Sequence, residues 1–186
     1  MRIINAVFLV LAAFLFFACN NILGDRPEKV FDVTTLNANL VSSKFTRLFN
    51  ELKAQKSNNS LLIPDESGKY RNANSYKEYV EKQFHNQFTQ YIDRVKALKP
   101  TDETKPLIDY SIDMFTYANE IYNTDFISIA EMLDAGKPDE EVNNAITELE
   151  TTKGLELDKK REVVVTAGLA YAEKHGIEVK TYNTPW

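Results

Sequence analysis

The feature that most restricts the fold of this chain is an apolar period of 3.6 residues in four separate segments. Apolar residues recur at steps of three and four over about residues 32–55, 75–98, 107–133 and 138–175. Such a stripe is typical of the buried face of an amphipathic helix. Pro100 ends the second segment, and Gly136-Lys137-Pro138 forms a tight turn between the third and the fourth. The sequence therefore predicts an all-α fold, an antiparallel four-helix bundle.

Local signals place the helix ends. Asp32 is the predicted N-cap of the first helix, and Ser75 with Glu78 forms a capping box at the start of the second. Gly154 weakens the middle of the fourth helix, so we expect a kink there. Gly176 ends that helix, and residues 177–186 are predicted to form an extended C-terminal tail.

One long loop, about residues 56–74, separates the first two helices. It is polar and contains the turn sequence Pro64-Asp65-Glu66-Ser67-Gly68. The short runs 61–63 and 69–71 on either side of that turn are predicted to pair as a hairpin. Long loops in compact domains are often functional, so this one is a candidate for the working part of the domain.

The first eighteen residues read as a secretory signal. Arg2 precedes an apolar run that ends at Ala18, directly before Cys19. The alternative is an uncleaved membrane-spanning helix, but a span needs roughly 20 apolar residues and this run is marginal. The predicted division is a signal peptide over 1–18, a tether over 19–31 and a single helical domain over 32–186.

The end of the apolar run, Leu15-Phe16-Phe17-Ala18-Cys19, resembles the lipobox of bacterial lipoproteins. Ala18-Cys19 matches that pattern, whereas Phe16 and Phe17 depart from it. The resemblance implies a lipid on Cys19 that attaches the protein to a membrane of the cell envelope. Because Asn20 is not the Asp that retains some lipoproteins at the inner membrane, the same resemblance favours the outer membrane.

Cysteine usage supports lipidation independently. Cys19 is the only cysteine of the chain, so no intramolecular disulfide can form, and a leftover thiol in an exported protein needs an explanation. Acyl chains on Cys19 supply one, since two of them anchor a protein stably. The alternative is a chance cysteine in a signal that an ordinary signal peptidase removes.

The charge balance excludes some classes of partner. Without residues 1–18 the chain loses Arg2 and keeps 21 basic against 27 acidic residues, a net charge of −6. Nucleic acid is not expected as a partner, because phosphate binding needs a basic surface. The body of the domain is likewise not expected to lie on an anionic membrane.

No catalytic or metal-binding pattern stands out. Glu81 and His85 share a helix face but are interpreted as an exposed pair, and His175 as a cation at a helix C-terminus. Asp109 and Asp113, with Glu120 two turns on, are interpreted as a solvated face rather than an acid–base pair. The sequence contains no Gly-rich phosphate loop and no nucleophile elbow. It therefore predicts no enzymatic activity, no metal and no cofactor.

The expected function is a non-enzymatic protein-binding or interaction module of the envelope. Tyr70 and Tyr79, in and near the long loop, are its predicted contact residues, because tyrosine is favoured in interface hot spots. One alternative is a periplasmic carrier that holds a small apolar ligand in a cavity between the helices. The other is an immunity or inhibitor protein, which small size and acidity favour.

Overall fold

The computed structural model describes residues 24–84 and 87–179. The predicted signal peptide, Cys19, His85 and the end of the predicted tail lie outside these residues. The described elements, in chain order, are α1 (Pro27–Thr34), a 3₁₀ helix (Leu36–Leu40), α2 (Phe45–Ser57), β1 (Leu62–Pro64), β2 (Tyr70–Asn72), α3 (Tyr76–Phe84), α4 (Gln87–Lys96), α5 (Lys105–Asn123), α6 (Asp125–Asp134), α7 (Asp139–Leu149), a π-helical turn (Glu150–Gly154) and α8 (Leu155–Lys174). Among them, no helix combines the length and the apolarity that crossing a membrane requires.

One end of the bundle gathers the start of the described chain and the end of α8. The Asp25 carboxylate accepts a hydrogen bond from the Lys99 amide at 2.7 Å. Glu103 pairs with Lys174 at 2.8 Å and with the His175 ring at 2.9 Å. We call residues 24–26, 97–104 and 174–176 the proximal end, because it includes the start of the described chain.

The opposite end joins the start of α3 to the end of α6. The Asp134 carboxylate accepts hydrogen bonds from the amides of Tyr76 (2.8 Å) and Lys77 (2.9 Å). Directly after it, Gly136 has a φ of +64°, and the Lys137 amide donates back to the Met132 carbonyl. This is a helix C-cap that turns the chain into α7. We call residues 134–139 and the start of α3 the distal end.

The helical segments therefore alternate in direction between the two ends. Two segments run from the proximal to the distal end, residues 27–57 and residues 105–134. The other two run back, residues 76–96 and residues 139–174. The fourth segment, from the start of α7 to the end of α8, is roughly 50 Å long at about 1.5 Å of helix per residue. The predicted antiparallel helical bundle is confirmed, with a two-stranded hairpin added to it.

The first helical segment differs most from its prediction. α1 begins at Pro27, so Asp32 lies inside a helix and is not its N-cap. Residues 27–31, predicted as part of the tether, belong to the folded domain, and Val30 and Phe31 are buried in its core. Proline suits the first turn of a helix, and that signal outweighs the Asp32 cap.

The predicted continuous helix over 32–55 is also wrong. Thr35 ends α1, a 3₁₀ helix follows, and residues 41–44 carry no helix before α2 begins at Phe45. Thr, Asn and Ser are frequent from 35 to 43, and their side chains compete with helical hydrogen bonds. Thr34 shows this competition, since its hydroxyl donates to the Val30 carbonyl at 2.7 Å.

Two further segments are interrupted near their middles. Thr124 separates α5 from α6, and its hydroxyl donates to the Glu120 carbonyl at 2.7 Å. The fourth segment changes to a π-helical turn over Glu150–Gly154, which confirms the expected irregularity at Gly154. The second segment is described as α3 and α4, with residues 85 and 86 outside the described part.

A cluster of aromatic rings lies at the level of these interruptions. Tyr122 and Phe126, on either side of Thr124, stack at 4.2 Å between ring centroids. Phe45 meets Phe126 edge-on at 5.2 Å. We call the following residues the aromatic cluster: Phe45, Phe49, Phe84, Phe88, Tyr122 and Phe126. Its only hydroxyl, on Tyr122, donates to the Ser42 carbonyl at 3.2 Å, and burial raises the pKa of Tyr122.

Two glycines let the segment 35–43 approach the fourth helical segment closely. A Cβ atom on Gly154 would lie 3.2 Å from the Ser43 carbonyl oxygen. A Cβ atom on Gly168 would lie 2.2 Å from the Thr35 hydroxyl oxygen. Neither glycine has a positive φ, so their backbone conformation does not require glycine. The close approach of the segment 35–43 requires it.

We predict that Gly168→Ala destabilises the domain by about 1–3 kcal/mol, because the new methyl overlaps Thr35. Helix propensity alone predicts the opposite sign, a gain of about 1 kcal/mol. Denaturant unfolding of the two proteins measures the difference. Adding Thr35→Ala should recover part of the loss, and a Gly168→Ala protein at least as stable as the wild type would contradict the close approach.

Candidate functional site

The hairpin presents one exposed and largely apolar face. Leu62 lies opposite Asn72, and Pro64 lies opposite Tyr70. Because side chains alternate along a strand, these four side chains share one side of the sheet, and all four are exposed. Leu62 is 42% exposed and Tyr70 is 71% exposed. We call Leu62, Pro64, Tyr70 and Asn72 the hairpin face.

The opposite side of the hairpin is fixed to the bundle. Leu61 and Ile63 are buried in the core, with 1% and 0% exposure. Ala73 is buried beside them, and its amide donates to the Leu61 carbonyl at 2.7 Å. The Gln83 side chain, from α3, reaches the Leu62 carbonyl at 3.4 Å. Burial of this side therefore places the hairpin face toward the solvent.

The turn of the hairpin is held by one carboxylate. Asp65 Oδ1 accepts from the Ser67 amide (2.8 Å), the Ser67 hydroxyl (2.7 Å) and the Lys69 amide (3.0 Å). The hydrogen bond from the Ser67 hydroxyl is the main cause that lowers the pKa of Asp65. Gly68 completes the turn at a φ of +78°, a conformation that favours glycine.

Glu78 joins the base of the hairpin to α3. One of its carboxylate oxygens pairs with the Arg71 guanidinium, and the other accepts from the Asn74 amide at 2.6 Å. The Glu78 amide donates to the Ser75 hydroxyl oxygen at 3.0 Å. The capping box is thus present, except that Glu78 reaches back to the amide of Asn74 and not to that of Ser75. The Arg71 partner and then the Asn74 amide lower the pKa of Glu78 to about 2.

A lysine from α2 closes the base of the hairpin. Lys56 Nζ donates to the Ala73 carbonyl at 3.1 Å and to the Asn74 carbonyl at 2.7 Å. The end of α2 and the start of α3 are thereby tied to the same stretch of chain. A surface fixed in this way loses little conformational entropy when it binds a partner.

The two predicted contact tyrosines lie in different environments. Tyr70 is part of the hairpin face. Tyr79 is half-buried on α3 and packs against the core, and burial raises its pKa. Tyr70 therefore remains a candidate contact residue, whereas much of the Tyr79 ring serves the packing of α3.

The three carboxylates Asp109, Asp113 and Glu120 differ in their surroundings. Asp109 pairs with Lys105, one turn earlier on α5. Asp113 pairs with Lys160 of α8 at 2.6 Å. Glu120 is exposed near the end of α5. Each of the two aspartates is thus paired with a lysine.

His175 lies at the C-cap of α8, as predicted. Its ring packs against Tyr171 in a tilted arrangement, with 4.3 Å between centroids, and its Nε2 lies 2.9 Å from Glu103. Of the predicted Glu81–His85 pair, His85 lies outside the described residues. In the part of the chain that is described, no three His, Cys, Asp or Glu side chains group into a possible metal site.

The hollows near α2 are open to solvent. Most of their lining side chains end in charged or polar groups, but most of the lining surface is apolar. One of about 730 Å³ follows the exposed side of α2 from Lys44 to Ala54, where Arg47 and Glu51 line it. A neighbouring hollow of about 410 Å³ shares Lys44 and includes Arg161. Neither hollow is enclosed between the helices, as a site that buries a small apolar ligand would be.

No family model, curated protein or solved structure matches this chain. The hairpin face is therefore interpreted from its own geometry.

The sequence predicted the hairpin and Tyr70 but not the apolar face they belong to. Leu62 and Pro64 alternate with the buried Leu61 and Ile63, which is the pattern of a strand with one exposed side. Three residues are too few for that alternation to stand out in a polar loop. The turn sequence after Pro64 was the usable signal, because it fixes where the strands begin.

We predict that Glu78→Gln lowers the free energy of unfolding by about 1 kcal/mol at pH 7, because the pairing with Arg71 is lost. The pKa of Glu78 in the folded state, about 2, lies below its ordinary value of 4.5, which we take for the unfolded chain. The stabilisation is therefore complete above about pH 5 and is lost as the pH falls toward 2.

Thermal or denaturant unfolding of both proteins from pH 7 to pH 2 tests this. The difference between them should shrink on acidification. Glu81→Gln is the matched control, because Glu81 lies on the same helix and its ion pair with Lys77 is 3.9 Å long. A difference between wild type and Glu78→Gln that stays constant with pH would contradict the assignment.

Proposed function

We propose that this protein is a lipid-anchored, non-enzymatic binding module of a bacterial cell envelope, and that the hairpin face is its contact surface for another protein. The observation that carries the proposal is a rigidly held hairpin whose outward face is apolar. Leu62, Pro64 and Tyr70 are exposed there, although burial would stabilise the isolated domain further.

The lipobox-like sequence supports anchoring through Cys19. Only four residues separate Cys19 from Gly24, which already belongs to the proximal end and lies against Thr101. The five residue-to-residue steps from Cys19 to Gly24 extend at most about 18 Å. A lipid on Cys19 would therefore keep the proximal end close to the bilayer, at the outer membrane if Asn20 has the effect that the resemblance implies.

The anchor and the hairpin face are on different parts of the bundle. The hairpin packs against α3, whose first amides bond to Asp134 at the distal end. With the proximal end next to the membrane, the hairpin face points into the aqueous compartment. A protein partner there can reach it without contact with lipid.

The binding proposal is favoured over a carrier of small apolar ligands. The hollows beside α2 are open to solvent, and the aromatic cluster occupies the space where the helical segments meet. An immunity or inhibitor role would be one form of the proposed function, with the hairpin face as its contact surface.

Anchoring predicts that wild-type chain in its bacterial host incorporates radioactive palmitate, whereas Cys19→Ser does not. The reason is that the thiol is the only acceptor for a thioether-linked lipid in the chain. Labelling is read after gel electrophoresis. Ala18→Ser, next to the same site, keeps the thiol and serves as the control. Equal labelling of wild type and Cys19→Ser would remove the anchor from the proposal.

Binding predicts a position-dependent crosslink. A photoreactive amino acid at position 70 of the full chain should give a protein adduct in intact cells. The same amino acid at position 110 should not, because Tyr110 is on α5 in the other half of the bundle, although it is 44% exposed. Adducts at both positions, or at neither, would contradict a specific contact at the hairpin face.

A further inference from the structure

The two edges of the hairpin differ in their free hydrogen-bonding groups. The Ala73 amide bonds to the Leu61 carbonyl, and the Asp65 amide bonds to the Lys69 carbonyl. In an antiparallel ladder, hydrogen-bonded pairs alternate with pairs whose main-chain groups point outward. The pairs Leu62–Asn72 and Pro64–Tyr70 are therefore the outward-pointing ones.

The outer edge of β1 is closed. The Leu62 amide donates to the Ser60 carbonyl at 3.0 Å, and the Leu62 carbonyl receives the Gln83 side chain. Pro64 has no amide hydrogen. No additional strand can pair along this side, which faces α3.

The outer edge of β2 is open. Its outward groups are the amide and carbonyl of Tyr70 and the amide of Asn72, and none of the three bonds to another described residue. The Asn72 carbonyl accepts from the Arg71 guanidinium at 3.0 Å. All three residues of β2 are exposed. Along the open edge, the Tyr70 amide is a donor, the Tyr70 carbonyl an acceptor and the Asn72 amide a second donor. An added strand pairs with donors and acceptors that alternate in this way.

The charges of β2 disfavour a second copy of the chain as the occupant. Two β2 edges paired around a two-fold axis at position 71 would place Arg71 opposite Arg71. An axis at position 70 would place Arg71 opposite Lys69. An axis at position 72 would pair Tyr70 with Asn74, whose amide and carbonyl are already bonded to Glu78 and Lys56. Like charges directly opposite each other destabilise a strand pair. A different protein, with a neutral or acidic residue at that position, avoids this repulsion.

We propose that β2 binds an extended segment of a partner protein as a third strand. The segment would pair with the main chain of Tyr70 and Asn72 and would lay apolar side chains over Tyr70 and Pro64 on the hairpin face. It would carry a neutral or acidic residue opposite Arg71. This inference rests on the proposed binding function and adds the conformation and chemistry of the bound segment.

The test uses the full chain purified from membranes in detergent and a displayed library of random 12-residue peptides. Selected peptides should bind wild type about tenfold more tightly than Asn72→Pro, which removes one outward amide and leaves the bonds between β1 and β2 intact. Asn72→Ser keeps that amide and should bind like wild type. Tyr70→Ala should weaken binding, and Tyr110→Ala should not.

Hydrogen exchange at single residues gives a readout that needs no variant. The amides of Tyr70 and Asn72 should exchange fast in the free protein and at least tenfold more slowly with a selected peptide bound. The Arg71 amide points toward β1 and should be protected in both states. The same measurement stays decisive if Asn72→Pro disturbs the hairpin.

Three outcomes would overturn the inference. The first is a selection that yields no peptide whose binding depends on the Asn72 amide. The second is a peptide that binds through Tyr70 while the outward amides keep exchanging fast, which leaves a binding face but no added strand. The third is dimerisation of the protein alone with those amides protected, which assigns the edge to a second copy. The crosslink at position 70 is independent of the second outcome, so failure of the strand and failure of the binding function can be told apart.

Discussion

The rest of the bundle depends on the packing of the aromatic cluster at the level where the helical segments are interrupted. Phe45 begins α2 directly after the non-helical residues 41–44, and Tyr122 and Phe126 stack across the Thr124 break. The π-helical turn brings Gly154 against the Phe45 ring. Aromatic rings bury large areas and prefer offset or edge-on contacts. The interruptions of the helices allow the rings to meet in these arrangements. The interruptions of the helices and the contacts between the rings therefore depend on each other.

Much of the fold follows from the sequence because its signals are local. Apolar stripes fixed four helical segments, and Gly136 and Gly176 marked two helix ends correctly. The breaks at 35–44 and at Thr124 were not predicted, because the apolar period continues across both. What decides them lies far away in the chain: Thr35 packs against Gly168, and Phe126 packs against Phe45.

The candidate site divides in the same way. The Asp65 turn and the Ser75 cap use residues within four positions of each other, so the sequence predicts them. The exposed face depends on register, which a three-residue strand does not reveal. The capping of α3 by Asp134 joins groups 58 positions apart, and no local pattern contains it. The sequence thus predicts the hairpin, whereas the structure is needed to show which side of it is buried and which is exposed.

The Asp134 cap also has a mechanical consequence. A partner that pulls on the hairpin loads the start of α3, where Glu78 and the amides that Asp134 holds resist it. From there the tension would pass to the end of α6 and along the helices to the proximal end. In the proposed arrangement, the helical segments would therefore carry force between a bilayer and a partner bound at the hairpin, and the Asp134 cap is one of the contacts that this force would load first.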